Sequence, residues 1–191
     1  MKKKNIAIFA SGSGTNAEEI MKHFQKSAVG EVSLVLSNNA SAYVLERARK
    51  YQVDTMLFNR QVLNETTAVD EKLEEKNIDF IVLAGFMLLF PERLIKKYPN
   101  KIVNIHPALL PKYGGKGMYG MYVHEAVVKN RESESGITIH WVNEIYDEGK
   151  IIFQATCPVG PKDTPEDVAT KVHQLEYEHY PKVIESLLKE K

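Results

Sequence analysis

Cysteine is nearly absent from this chain: Cys157 stands alone among 191 residues. An intrachain disulfide is therefore excluded, and a reducing cytoplasmic setting is expected. Net charge is also absent, because 25 lysines and arginines balance 25 aspartates and glutamates. No bulk field is available to gather nucleic acid or an anionic membrane, and neither is expected as a partner. No apolar run approaches the roughly 20 residues that a membrane-spanning helix needs. The opening MKKKNIAIFASGSG starts basic, but its apolar stretch at 6–10 is too short for a signal peptide and runs into glycines. The six histidines show no H-E-x-x-H or paired Cys/His spacing, so no metal is expected. Ser11-Gly12-Ser13-Gly14 is not the G-x-S-x-G of a hydrolase elbow. Cys157 has no activating motif beside it and reads as a small buried hydrophobe. Covalent catalysis thus has no candidate nucleophile.

What is present is an ordinary globular composition, 43% hydrophobic and 26% charged, with no internal repeat or low-complexity linker. One domain over residues 1–191 is expected. Apolar runs at 5–10, 32–37, 53–58, 79–84, 101–106, 136–143 and 150–156 predict strands. Helical patterns fall at 16–27, 41–51, 64–77, 91–98, 118–130 and 165–189. Ser41, Asn64, Pro91 and the pair Thr164-Pro165 supply N-cap or first-turn signals. This alternation predicts an α/β fold: a mostly parallel, twisted, Rossmann-like sheet of about seven strands covered by helices on both faces, with an antiparallel pair near the C-terminal part. Ligands of such sheets bind at the carboxyl ends of the strands. Oligomeric state leaves no signature in the chain.

SGSGTN, residues 11–16, follows the first strand and opens a helix. Glycines let backbone N–H groups approach an anion, and the helix N-terminus adds positive dipole. Gly14, Thr15 and Asn16 are therefore candidates for holding a phosphate, with side-chain donors expected from the last two. Gly12-x-Gly14-x-x-Ala17 also fits the loose dinucleotide fingerprint. That reading requires an acidic residue ending the second strand, where this chain has Leu36-Ser37-Asn38-Asn39. A monophosphate is favoured.

The strand at 101–106 ends in Asn104 and His106, which side-chain alternation places on one face. Pro107 cannot continue a ladder, so both polar groups lie at the strand's carboxyl end. An amide donates to a developing oxyanion, and an imidazole exchanges protons near neutral pH. A second alternating run, GITIHWV, leads into a loop carrying Glu144, Asp147 and Glu148. A carboxylate beside an imidazole favours the imidazolium and fixes its tautomer, but spacing alone does not choose among the three.

Taken in order, SGSGTN (11–16), ERAR (46–49), VLAGFM (82–87), NIHPALLPKY (104–113), SGITIHWV (135–142), YDEG (146–149) and LEYEHYP (175–181) resemble the glycinamide ribonucleotide formyltransferase family over nearly the whole chain. The resemblance implies a purine-synthesis enzyme that takes 10-formyltetrahydrofolate as co-substrate, needs no metal, and acts on 5-phosphoribosylglycinamide. It implies a catalytic trio of Asn104, His106 and Asp147. It implies ribonucleotide contacts from Gly14, Thr15, Asn16, Pro107, His173 and Glu176. It further implies folate contacts from Met87, Leu88, Leu89, Phe90, Asn104, Asn143, Glu144, Ile145, Tyr146 and Asp147. With that trio, Asp147 is expected to raise the His106 pKa. Related enzymes that deformylate the folate, or formylate sugar amines or tRNA, are the nearest alternatives. The deformylases typically carry an extra N-terminal domain and the tRNA formyltransferases an extra C-terminal one, and neither is expected here. Three departures stand out. GGKGMYGMYVHEA at 114–126 is longer and richer in glycine than the family's common form. Leu88 stands where an arginine is frequent. The helix near 64–76 lacks a counterpart to an arginine that some members turn towards folate.

Overall fold

The computed structural model describes residues 2–189. Seven strands form one sheet in the order β3-β2-β1-β4-β5-β6-β7. They are β1 (Lys4–Phe9), β2 (Gly30–Ser37), β3 (Asp54–Leu57), β4 (Phe80–Leu83), β5 (Ile102–His106), β6 (Glu134–Trp141) and β7 (Ile151–Pro158). The first five pair in parallel, whereas β5–β6 and β6–β7 are antiparallel. The helices are α1 (Thr15–Phe24), α2 (Val44–Lys50), α3 (Arg60–Glu65), α4 (Ala68–Glu75), α5 (Glu92–Lys97), α6 (Met121–Lys129) and α7 (Pro165–Lys189).

The period-2 alternation of buried strands divides the core into two layers. Ile6 and Ile8 of β1 face a layer that takes Ile20 and Phe24 from α1, Val44 and Ala48 from α2, and Val172 and Tyr180 from α7. Ala7 and Phe9 face the opposite layer, with Leu63, Leu73 and Leu94 from α3, α4 and α5. Helices therefore cover both faces, as burial on both sides of a parallel sheet requires. From β1 the chain winds outward through β2 and β3, then returns to β4 on the other side of β1. Strand order reverses at this point, and the crevice between the carboxyl ends of β1 and β4 is the ligand site of such sheets.

Several element boundaries differ from expectation. The single helix predicted over 64–77 is two, α3 and α4, because Thr66 is extended (φ −128°, ψ 169°) and its hydroxyl turns back to the Val62 carbonyl. Asn64 lies inside α3, and the cap is Asn59, whose Oδ1 accepts from the Val62 amide at 2.8 Å. Ser41 does not cap α2, which starts at Val44; its amide and hydroxyl both donate to Asn39 Oδ1 in an Asx turn. The helix predicted from 118 begins at Met121, after Gly120 at φ 52°. At α7 the expected cap holds as a reciprocal pair. The Thr164 hydroxyl accepts from the Asp167 amide, and the Asp167 carboxylate accepts from the Thr164 amide.

Candidate active site

Three loops meet above the switch point. The Ser11 amide donates to the Gly85 carbonyl (3.0 Å), its hydroxyl donates to Asn38 Oδ1 (2.6 Å), and the Met87 amide donates to that hydroxyl (3.0 Å). One serine thus ties the loops after β1, β2 and β4. The loops after β1 and β4 line a cavity of about 700 Å³, together with the end of β5, residues 115–120, the 142–147 loop and α7.

At the centre of the cavity, β5 presents Asn104 and His106 on the same face, as alternation requires. Asp147 comes from the loop after β6 and stands between them: Oδ2 is 3.4 Å from His106 Nδ1, and Oδ1 is 3.5 Å from Asn104 Nδ2. The Gly115 amide donates to Oδ2 at 3.0 Å. This turn fixes the choice among the three acidic side chains, since Asp147 alone lines the cavity while Glu144 and Glu148 are exposed outside it. Asp147 (φ 58°) and Tyr113 (φ 57°) are both left-handed non-glycine residues. Each such residue costs on the order of 1 kcal/mol and persists where surrounding contacts over-determine it. Here both contacts are to His106, because the Tyr113 carbonyl accepts from His106 Nε2–H at 2.7 Å.

His106 is 3% exposed. Burial lowers its pKa; Asp147 and the Tyr113 carbonyl oppose this without overcoming it. The expected pull is present, since Asp147 raises the imidazole pKa, but dehydration of the ring outweighs it. Burial alone would raise the Asp147 carboxyl. The neighbouring His140 and His106 rings and the Gly115 amide outweigh it, so the carboxyl stays below its ordinary value and ionised.

His140 has no counterpart among the residues singled out in the sequence. It lies directly opposite Asn104 in the antiparallel β5–β6 register. Its Nδ1–H donates to the Trp141 carbonyl (2.9 Å), and Nε2 lies 3.2 Å from Asn104 Nδ2 and 3.6 Å from Asp147 Oδ1. The Asn104 amide is oriented between two partners, His140 Nε2 and Asp147 Oδ1. Only the strand register identifies this histidine, and that register is set by tertiary pairing.

The glycine loop behaves differently from expectation in two respects. A Cβ on Gly14 would sit 2.4–2.9 Å from Val44, and φ is +74°. Packing of α1 on α2 therefore demands this glycine before any ligand does. Asn16 does not offer its side-chain N–H to the loop, since Nδ2 donates to Glu176 Oε2 at 2.9 Å and Oδ1 is buried without a partner. Gly14 in the left-handed region caps α1, and no side chain bonds the first-turn amides there. Arg47 braces the loop by donating to the Ser13 carbonyl (2.9 Å) and pairing with Glu18.

Glu176 is 5% exposed, and burial pushes its pKa up to about 7 against the opposing Asn16 bond. His173, one turn earlier on α7, lines the same wall, as do Thr15 and Pro107. His124 of α6 is fully buried 6.3 Å from the His173 ring, with Nδ1 unpartnered. Burial and the two neighbouring histidines lower its pKa to about 4. Met87, Leu88, Leu89, Phe90, Asn143, Ile145 and Tyr146 also line the cavity. Phe90 does so from a buried aromatic cluster, 5.1 Å from Phe9. The lining divides by chemistry into a polar lobe, from the glycine loop and α7, and an apolar lobe, from 87–90 and 142–146, with Asn104, His106 and Asp147 also in the lining. Among the described residues no group of three or more His, Cys, Asp or Glu side chains is arranged to hold a metal ion.

The formyl transferase family model matches residues 4–184. Phosphoribosylglycinamide formyltransferase of Haemophilus influenzae is 36% identical, over 95% of this chain and 85% of that protein. The chloroplastic phosphoribosylglycinamide formyltransferase of Arabidopsis thaliana is 37% identical over the whole chain. The chain spans 67% and 63% of the lengths of that protein and its Vigna unguiculata counterpart. Among solved structures, the phosphoribosylglycinamide formyltransferase of Anaplasma phagocytophilum superposes with a TM-score of 0.90 at 35% identity, covering 100% of this chain and 89% of that one.

Proposed function

The chain belongs to the formyl transferase family, and from that premise we propose that it transfers the formyl group of 10-formyltetrahydrofolate to the primary amine of 5-phosphoribosylglycinamide in purine biosynthesis. The observation that carries the reading is the approach of Asp147 to His106 (3.4 Å) and to Asn104 (3.5 Å), which we take as the junction of the two lobes. A two-substrate transfer needs its reacting atoms to meet at such a junction. The polar lobe suits a phosphorylated ribose: backbone amides of the glycine loop take the phosphate, and Glu176 takes ribose hydroxyls. The apolar lobe suits a flat pterin, which packs on Met87 to Phe90 and on the 143–147 loop.

In the reaction the neutral amine attacks the formyl carbon. A C–N bond forms, and the carbonyl oxygen gains negative charge in a tetrahedral species. The Asn104 amide and the His106 ring stabilise that oxygen, their N–H groups turning to it from Asp147 Oδ1 and the Tyr113 carbonyl. Asp147, held ionised, keeps the His106 ring oriented and favours its protonated form against the cost of burial. The bond to the folate nitrogen then breaks, and the proton lost by the amine ends on that nitrogen by way of His106. No group on the enzyme becomes covalently modified. We place the reaction in the cytoplasm, which the single buried thiol of Cys157 suits; among the described residues no helix is long and apolar enough to cross a membrane.

Comparison of 5-phosphoribosylglycinamide with its dephosphorylated nucleoside tests the acceptor. Fast formylation of the first and little of the second is expected, because phosphate binding energy positions the amine. Equal rates would remove the ribonucleotide from the assignment.

A further inference from the structure

The cavity wall contains two carboxylates, Asp147 and Glu176, and four histidines. Burial lowers the pKa of His106, His124 and His173. Arg47 braces the glycine loop from outside the cavity, with its guanidinium spent on Glu18 and the Ser13 carbonyl. Among the described residues lining the cavity, Lys116 is the one lysine or arginine. A phosphate monoester, carrying about −1.5 to −2 at neutral pH, would otherwise enter a site with fixed negative charge and only neutral donors.

Lys116 is uncommitted. Its neighbour Lys112 is paired with Glu132 at 3.1 Å, whereas Lys116 makes no ion pair among the described residues. It is flanked by Gly115 (φ 92°) and Gly117 (φ 90°), and a Cβ on either would meet no atom within 4 Å. These glycines are required for backbone direction, not for space, since other residues are strained at such φ. Together they set the path of the chain on both sides of the lysine.

The segment is also placed correctly. At one end the Gly115 amide holds Asp147. At the other, Gly120 starts α6, which packs against α7 and brings His124 to His173. Glu176, one turn further along α7, reaches Asn16 at the glycine loop. Residues 115–120 therefore span from the reacting centre to the polar lobe. We propose that Lys116 binds the phosphate of the ribonucleotide acceptor, closing over the polar lobe the cradle that the glycine loop begins. The lysine supplies the positive charge that the loop lacks.

This assignment rests on the acceptor reading above, and ribose 5-phosphate separates the two because its binding needs no formyl transfer. Calorimetry with ribose 5-phosphate is expected to show at least about tenfold weaker binding in Lys116→Met, the loss of one charge-assisted contact. Lys116→Arg should retain most of the affinity. In steady state Lys116→Met should raise the KM for the ribonucleotide by a similar factor and leave the KM for the folate within about twofold. Unchanged ribose 5-phosphate binding in Lys116→Met, or no ribose 5-phosphate binding by the unmodified protein, would overturn the assignment. A loss confined to the folate would also overturn it, and would give the lysine to the glutamyl carboxylates. Ribose 5-phosphate binding that depends on Lys116 in a protein that forms no formylated ribonucleotide would sustain the phosphate site and sink the acceptor reading.

Discussion

Replacing Glu176 by glutamine removes a titrating carboxyl from a place where ionisation is costly. The folded protein holds this group at about 7, against an ordinary 4.5. Below pH 4.5 the carboxyl is protonated in both folded and unfolded chains, and its contribution to stability is fully present. Between 4.5 and about 7 the unfolded chain has released the proton that the folded protein keeps, so stability falls as pH rises. At about 1.4 kcal/mol per pKa unit the whole loss is about 3 kcal/mol, reached a little above pH 7. Glutamine keeps an oxygen to accept from Asn16 Nδ2 and carries no charge. Urea unfolding of Glu176→Gln and the unmodified protein should therefore give a stability difference that is small at pH 4.5 and grows by about 3 kcal/mol in favour of the variant by pH 8.5. A difference that is flat across this range, or that shrinks with pH, would refute the burial argument for Glu176.

His106→Ala and Asp147→Asn should each lower kcat by about 100-fold or more, as loss of a positioned acid–base group does, with melting temperatures near that of the unmodified protein; normal turnover in either removes the group from the reaction. Asp147→Asn should also move the NMR titration midpoint of His106 further to acid, since the carboxylate opposes the effect of burial; an upward or absent shift would contradict the pairing. Gly14→Val should destabilise the fold by about 2 kcal/mol or more, through the Val44 clash and the left-handed φ. Gly12→Ala, whose Cβ meets no atom within 4 Å, should melt normally and weaken phosphate binding. Equal melting temperatures for the two glycine variants would show that α1–α2 packing does not require Gly14.

The sheet and the central pair were legible because local rules decide them. Alternation places Asn104 and His106 together, and Pro107 ends their strand. The parallel part of the sheet follows from helices falling between the first five strands, whereas the reversal of strand order at β1 and β4 is set by pairing across the sheet. From spacing, Asp147 was readable only as one of three acidic residues, and the family resemblance alone singled it out, because a left-handed turn and the Gly115 amide select it and neither leaves a pattern in the chain. His140 was not legible at all: its role depends on the β5–β6 register, which is set by pairing across the sheet. Glu176 sits in a charged helical stretch that reads equally well as solvated surface, and only the approach of α1 to α7 buries it against Asn16. The break between α3 and α4 escaped because two threonines in a helical pattern carry no strong stop signal. The direction of the His106 shift depended on the depth of burial, which sequence spacing does not contain.

The central claim is tested most directly by mixing the purified protein with 10-formyltetrahydrofolate and 5-phosphoribosylglycinamide and following all species by mass spectrometry. The account predicts formylated ribonucleotide and tetrahydrofolate appearing one for one, with slow formate release when the acceptor is left out. Rapid formate release without acceptor, or consumption of the folate with the ribonucleotide unchanged, would contradict it.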